Sequence, residues 1–279
     1  MEYSILSDIG SKRSNNQDFA GSFVNKAGLR IFLLADGMGG HKAGNVASKL
    51  TVEDLGKVWS ESFFDDSTPD ATIELWLRNQ IRNENENIAN LGKLDEYQGM
   101  GTTLEVLVAK SHKVISAHVG DSRTYLVRAG ELKKITNDHS LVQELVDAGQ
   151  ITEEEAESHP NKNIITRSLG QTSEVQPDLV HLDVQADDMI LMNSDGLTNM
   201  VSNEEIMAIV DQPETLDTAT QALVDKANEH GGFDNITVSL IKFDGQEAEI
   251  HGKGQEAVLE TATAEAGETL QSSESEVSE

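Results

Sequence analysis

The sequence predicts an α+β domain built on antiparallel sheets, and three observations carry that expectation. Thr103–Ile135 is rich in Val, Ile, Thr and Leu, with Gly120 and Gly130 as punctuation, and reads as three consecutive antiparallel strands. Amphipathic helices are set apart from that run, at Asp70–Leu91 and at Leu216–Glu229. Strands grouped in hairpins with helices elsewhere are the pattern of α+β folds rather than of alternating βαβ units, and no internal repeat is apparent.

Each element has its own signal. Leu29–Ala35 is an apolar run that ends at Asp36 and a turn rich in glycine, Gly37, Gly39, Gly40 and Gly44. Val46, Leu50, Leu55, Val58 and Trp59 follow at roughly helical spacing. Ile73, Leu77, Ile81, Ile88 and Leu91 form the stripe of the Asp70–Leu91 helix. Ser140–Ala148 is helical again, with Gly149 as its stop. Thr152 and Glu155 have capping-box spacing, and Pro160 ends that segment. Met189–Asn193 is a short strand leading into Ser194-Asp195-Gly196. Ser202 and Glu205 make a second capping pair ahead of a helix to Val210. The Leu216–Glu229 helix ends at Gly231-Gly232, and Ile236–Phe243 closes the body.

Composition divides the chain in two. Residues 1–244 are expected to form one domain, since 37% hydrophobic content in 279 residues suffices for a core. From Gly245 to Glu279 there are nine Glu against a single Lys and no aromatic residue, so this tail is expected to be disordered. The net charge of −28 argues against nucleic acid as a partner. No apolar stretch is long enough for a membrane span, and no secretory leader is visible at the start. With no cysteine, thiolate metal sites and cysteinyl-phosphate chemistry are excluded, and the absence of any D-x-D pair argues against an aspartyl-phosphate route. A cytoplasmic location and a monomer are the simplest expectations.

Acids recur where apolar strands meet turns: Asp18, Asp36, Asp121, Asp195 and Asp234. Singly, each is what a turn would carry, because Asp bonds the local backbone. Several carboxylates converging at one end of a packed core would repel one another unless a cation sat among them. Hard oxygen ligands select Mg²⁺ or Mn²⁺ over zinc, and two such ions close together activate water for in-line attack on phosphorus. These ions would also supply positive charge that an acidic body lacks.

The stretches "SDIGSKRSNNQDF", "LADGMGGHKAG", "GMGTTLEVLVA", "AHVGDSRTYLV", "TNDHSLVQELVDAGQITEEEAESHPNKNIITRSLG", "NSDGLTNMVS" and "GGFDNITVSLI" resemble, in order and spacing, the bacterial branch of the PP2C-type (PPM) metal-dependent protein serine/threonine phosphatases. The resemblance runs from about Ser4 to Phe243. It implies a central β-sandwich of two antiparallel sheets flanked by helices on both sides, with two Mn²⁺ or Mg²⁺ ions at one end and a third, weaker one beside them. It implies that Asp36 bridges the two ions, that the Gly37 carbonyl binds the second, and that Asp195 and Asp234 complete the first. Asp121 together with Asp195 would hold the third, and Arg13 would grip the substrate phosphate. Gln17 stands where many relatives have Glu. Met38 stands where eukaryotic members carry a His, so the leaving alkoxide needs another proton source. For His41 the expectation is a structural or substrate-contact role. Arg123 is read as an ion-pair residue and Asp138 as a helix N-cap. Residues 139–170 correspond to the family's flap beside the active site.

The implied activity is direct hydrolysis of phosphoserine and phosphothreonine on proteins by a metal-bridged hydroxide. The partners would be phosphoproteins and a membrane-anchored Ser/Thr kinase whose work the enzyme reverses. On the residues alone two other readings stay open. A phosphoprotein-binding regulator without catalysis has room in Gln17 and Met38, and a structural cation-binding module leaves Arg13 unexplained.

Overall fold

The computed structural model describes residues 1–40, 43–171, 174–245 and 257–258. Its strands are β1 (Glu2–Asp8), β2 (Asp18–Val24), β3 (Arg30–Met38), β4 (Gly101–Thr102), β5 (Leu104–Ala109) and β6 (Lys113–Val119). There follow β7 (Arg123–Arg128), β8 (Glu131–Lys134), β9 (Asp178–Asp183), β10 (Met189–Asn193), β11 (Ile236–Lys242) and β12 (Ala257–Val258). One sheet has the order β1-β11-β10-β7-β8, the other β12-β2-β3-β5-β6-β9 with β4 paired to β3. All pairings are antiparallel.

Why two sheets face each other is written in strand parity. In β3, Phe32 and Leu34 point one way, into a core shared with Leu126 of β7, Ile190 and Met192 of β10 and Ile241 of β11. Ile31, Leu33 and Ala35 point the other way, against Val52, Leu55 and Trp59 of α1 (Ala43–Ser60) and Ile73, Leu77 and Ile81 of α2 (Asp70–Leu91). A strand apolar on both parities must be covered on both faces. The other sheet is covered likewise: Tyr125, Leu191 and Val238 pack on Ile206 and Leu223, which belong to α6 (Asn203–Val210) and α7 (Leu216–Glu229). The result is helices, sheet, sheet, helices, the α+β sandwich that the motifs imply.

Local signals placed the helices well. The bounds of α2, α6 and α7 coincide with the apolar stripes, and Ser202 and Glu205 close a capping box on α6. α3 (Leu141–Asp147) is capped by Ser140, and α4 (Glu153–Glu157) carries the Thr152–Glu155 capping box. Between β10 and α6 lies the short α5 (Asp195–Thr198).

Two strand expectations need correction. The 103–135 run is not three consecutive strands but four, β5 to β8, and they do not form one sheet. β5 pairs with β6, the chain then crosses at Gly120–Ser122, and β7 pairs with β8 in the opposite sheet. Composition shows that strands exist but not which partner each takes. β1, β2 and β9 are also present without having been anticipated. Of the tail expected to be disordered, Ala257–Val258 pair with Ser22 and Gly21 of β2, and 246–256 and 259–279 lie outside the described residues. No helix among the described residues is long and apolar enough to cross a membrane.

Candidate active site

The inner face of the sandwich changes character along its length. The parity that puts Phe32 and Leu34 in the apolar core puts Asp36 on the same face, one step nearer the end. On β2, Ala20 is followed the same way by Asp18, and the register sets Asp18 directly opposite Asp36. Like charges facing each other across a ladder destabilise it, so this pair needs an explanation. Asp121 follows Gly120 where the chain crosses between sheets, and Asp195 opens α5 just beyond β10. Asp234 lies in the turn before β11, after Gly231 and Gly232, both at positive φ. All five strand-end acids thus come to one end of the sandwich, from both sheets.

Their electrostatics show how close they are. Burial holds the Asp36 carboxyl well above the usual carboxylate range, and Asp18, Asp195, Asp121 and Asp234 each add to the effect. Burial pushes Asp18 to about 7, against hydrogen bonds from Ser194 and Thr237 that favour its charge. Asp121 rises to about 8 through burial and then Asp195, and Asp195 to about 6 through burial and then Asp234. Three carboxylate oxygens, Asp18 Oδ1, Asp121 Oδ1 and Asp195 Oδ1, are buried and accept no hydrogen bond. A buried, unpaired carboxylate oxygen is costly, and a cation would relieve that cost. The donor set is all oxygen and anionic, which suits a hard divalent ion. Among the described residues no three acids or histidines already form a finished cage, so the fit rests on these orphaned oxygens and on donor chemistry.

The neighbours hold the acids in place. Asp36 N donates to Thr103 Oγ1 at 2.9 Å, while Thr103 N and Thr102 Oγ1 donate to the Asp36 carbonyl at 2.8 and 2.9 Å. Ser194 Oγ donates to Asp18 Oδ2 at 2.6 Å and accepts from Thr237 N at 3.0 Å. Asn199 Nδ2 donates to Asp195 Oδ2 at 2.9 Å. Asn235 ties the site loops together, donating to the carbonyls of Ile9 and Asn15 and accepting from Gln17 N. Sequence reasoning passed over these Ser, Thr and Asn residues, although Ser194, Thr102, Thr103 and Asn235 stand inside the quoted motifs. Gly37 has a steric reason to be glycine: a methyl there would meet the Gly44 carbonyl oxygen at 2.1 Å, where α1 starts.

Arg13 joins the cluster from the β1–β2 loop. Its Nη2 donates to Asp234 Oδ2 at 2.7 Å and its Nε to the Phe233 carbonyl at 3.2 Å, and its side chain is half exposed. Met38 accepts from Gln171 Nε2 at 3.1 Å through its sulfur. His41 lies outside the described residues. Arg123 does form an ion pair, with Asp138, donating from Nη2 at 2.6 Å. Asp138 is not a helix cap: Arg123 and Lys134 take up its carboxylate, and Ser140 caps α3 instead.

The 139–170 segment carries α3 and α4 and is tied at its base. Ser140 bridges to Ile165, Leu169 bridges to Thr102 beside β4, and Thr166 N donates to the His139 carbonyl at 2.8 Å. His139 Nδ1 accepts from Gly120 N at 3.0 Å, next to Asp121, and its ring lies 4.4 Å from that of buried His118. His118 in turn pairs with buried Glu105, to which Thr124 Oγ1 donates at 2.7 Å.

Residues 10–241 match the family described as protein phosphatase 2C. A putative protein phosphatase 2C-type of Streptococcus pyogenes is 50% identical over 249 residues, covering 89% of this chain and 100% of that one. The solved S. agalactiae serine/threonine phosphatase is similar with a TM-score of 0.83 at 53% identity, over 86% of this chain and 98% of that one. The catalytic domain of the serine/threonine protein phosphatase PstP, solved in complex with two manganese ions, has a TM-score of 0.72 at 38% identity, over 86% of this chain and 96% of that one. A matching family over most of the body and relatives this similar along their whole length meet the acid-lined end of the sandwich in one conclusion: the chain belongs to the protein phosphatase 2C family and is a protein phosphatase.

Proposed function

We propose that this phosphatase hydrolyses phosphoserine and phosphothreonine on proteins at the acid cluster, using two divalent ions, Mn²⁺ or Mg²⁺. The observation that carries the reading is the set of buried, unpaired oxygens on Asp18, Asp121 and Asp195, gathered around Asp36 with Arg13 at the edge. Asp36 would bridge the two ions, the Gly37 carbonyl would serve the second, and Asp195 and Asp234 the first. Asp121 with Asp195 would hold a third, weaker ion. Asp18 keeps Oδ1 for a cation while Ser194 holds its Oδ2. When bound, such ions supply an activated water as nucleophile and neutralise phosphoryl charge.

The chain's own residues do the rest. Thr102 and Thr103 clamp the Asp36 backbone, so its carboxylate points into the cluster without reorganising. Asp234 and the Phe233 carbonyl engage Nη2 and Nε of Arg13 and orient the guanidinium, whose remaining donors are left for the equatorial phosphoryl oxygens. Met38 has no transferable proton, so the leaving alkoxide takes its proton from elsewhere than that position. The His139–Gly120 bond fixes one end of the 139–170 segment beside Asp121, which suits a flap that bears on substrate entry and product release. The same reading carries a cytoplasmic monomer that opposes a membrane-anchored Ser/Thr kinase on shared phosphoproteins.

Hydrolysis of a phosphothreonine peptide by purified protein, in EDTA and then with added Mn²⁺, tests this. Turnover that appears only with the ion supports the proposal. Turnover that survives EDTA ends it.

A further inference from the structure

Away from the acid cluster, α1 and α2 leave a cleft of about 410 Å³ between them, within the range of small-ligand sites. Asp54 lies about 16 Å along α1 from the end nearest Asp36, at 1.5 Å per residue. Asp54, Leu55 and Val58 line the cleft from α1, and Gln80, Asn83 and Glu84 from α2. Glu84 is the unusual member. It is 6% exposed on a helix that otherwise buries apolar side chains and Asn85, and its Oε1 is buried without a hydrogen-bond partner. Asn87 donates to the carboxylate, but the next charge it meets is the like charge of Asp54. Burial first and Asp54 second push Glu84 to about 7.

The lining cation, Lys57, acts on Glu61, and Glu61 is already paired with Lys26. Among the described residues neither Asp54 nor Glu84 has an ion-pair partner. Two facing acids, one of them buried with an unsatisfied oxygen, call for a positive group with N–H donors. The cleft is far larger than a bare ion needs, and Leu55 and half-exposed Val58 offer it an apolar wall. A chain with net charge −28 draws cations to its surface. We propose that this cleft binds a guanidinium or primary ammonium group on an aliphatic stem, with the cation between Glu84 and Asp54 and the stem along Leu55 and Val58. Such a group is carried by a free alkylamine or alkylguanidine, or by a Lys or Arg side chain of another protein.

The test is calorimetric titration of the full-length, Mn²⁺-loaded enzyme with n-butylguanidinium and, separately, with acetyl-Ala-Arg-Ala-amide. Uncharged n-butylurea is the control. Saturable binding of the cation but not of the urea is expected, weakened about tenfold or more in Glu84→Gln, with phosphatase turnover unchanged. Binding of butylguanidinium alone points to a free small molecule, and binding of the peptide as well points to a protein side chain. Glu84→Gln is nearly isosteric and removes a buried repulsion, so it should fold, and unchanged turnover verifies that. The proposal is overturned if neither probe binds saturably, if Glu84→Gln binds as well as wild type, or if n-butylurea binds equally. It is also overturned if Mg²⁺, and not the guanidinium, moves the Glu84 carboxyl carbon resonance.

Discussion

Replacing Asp18 by Asn should make the metal-stripped protein more stable, and the gain should depend on pH. Asp18 is 2% exposed and faces Asp36 across the β2–β3 ladder, and its carboxyl rises from an ordinary 3.8 to about 7 in the fold. A carboxyl whose folded value lies above its unfolded value favours the folded state only while protonated. That advantage is complete below the unfolded value and is lost as pH climbs through the folded one. Three units at about 1.4 kcal/mol each give a penalty of roughly 4 kcal/mol at pH 8, and under about 2 kcal/mol at pH 5. Asn keeps an oxygen to accept from Ser194 and never ionises. Urea unfolding in EDTA, followed by the fluorescence of Trp59 and Trp76, should therefore show Asp18→Asn ahead of wild type by several kcal/mol at pH 8 and by much less at pH 5. Equal stability at pH 8, or the same gain at both pH values, would refute the claim that unrelieved charge strains this end of the sandwich.

Asp36→Asn should lower Mn²⁺-dependent turnover of a phosphothreonine peptide by at least ~10²-fold, and near-wild-type turnover would remove Asp36 as bridging ligand. Arg13→Lys keeps the charge but not the fork, so kcat/KM should fall by about tenfold or more; an unchanged value would place the phosphate elsewhere. Glu105→Ala strands buried His118 and leaves Thr124 without its acceptor. About 3–5 kcal/mol should be lost, a drop of roughly 10 °C in calorimetric Tm. Gly37→Ala sets a methyl 2.1 Å from the Gly44 carbonyl, so turnover should collapse while the far-ultraviolet circular dichroism stays native.

How much was legible beforehand depended on the kind of signal. Ile73, Leu77, Ile81 and Ile88 repeat with the helix period, and Ser202 with Glu205 caps its own helix, so those elements were bounded by local information alone. β10 stood out as an unbroken apolar run because both its faces are buried. β1 and β9 did not, because they are half-buried strands mixing charged and apolar residues, and β2 hides behind Asp18 and Gly21. Where the 103–135 run divides between two sheets, Gly120 turns at φ +121° with its Cα close against Thr103, a contact no neighbouring residue announces. The acids were found because each sits where a strand meets a turn, four of them next to Gly or Asn. Asp138 was misread because its partner Arg123 is fifteen residues back, on β7, while Asp138 itself lies in the loop before α3. Glu84 gave no sign at all: on a helix of mixed polarity, one more Glu looks like a solvated face.

The pairing of β1 with β11 bears on when this enzyme comes into being. Tyr3 lies opposite Ile241, Arg13 reaches Asp234, and Ser194 reaches back to Asp18, so each waits for a partner far along the chain. Contacts this distant in sequence form slowly and late. A growing chain can pair β2, β3, β5 and β6, which carry Asp18 and Asp36, before it holds the strand whose turn carries Asp234. On the proposed roles of Arg13 and Asp234, a chain cut before β11 would be silent, and phosphatase activity would begin only once β11 has paired with β1 and β10.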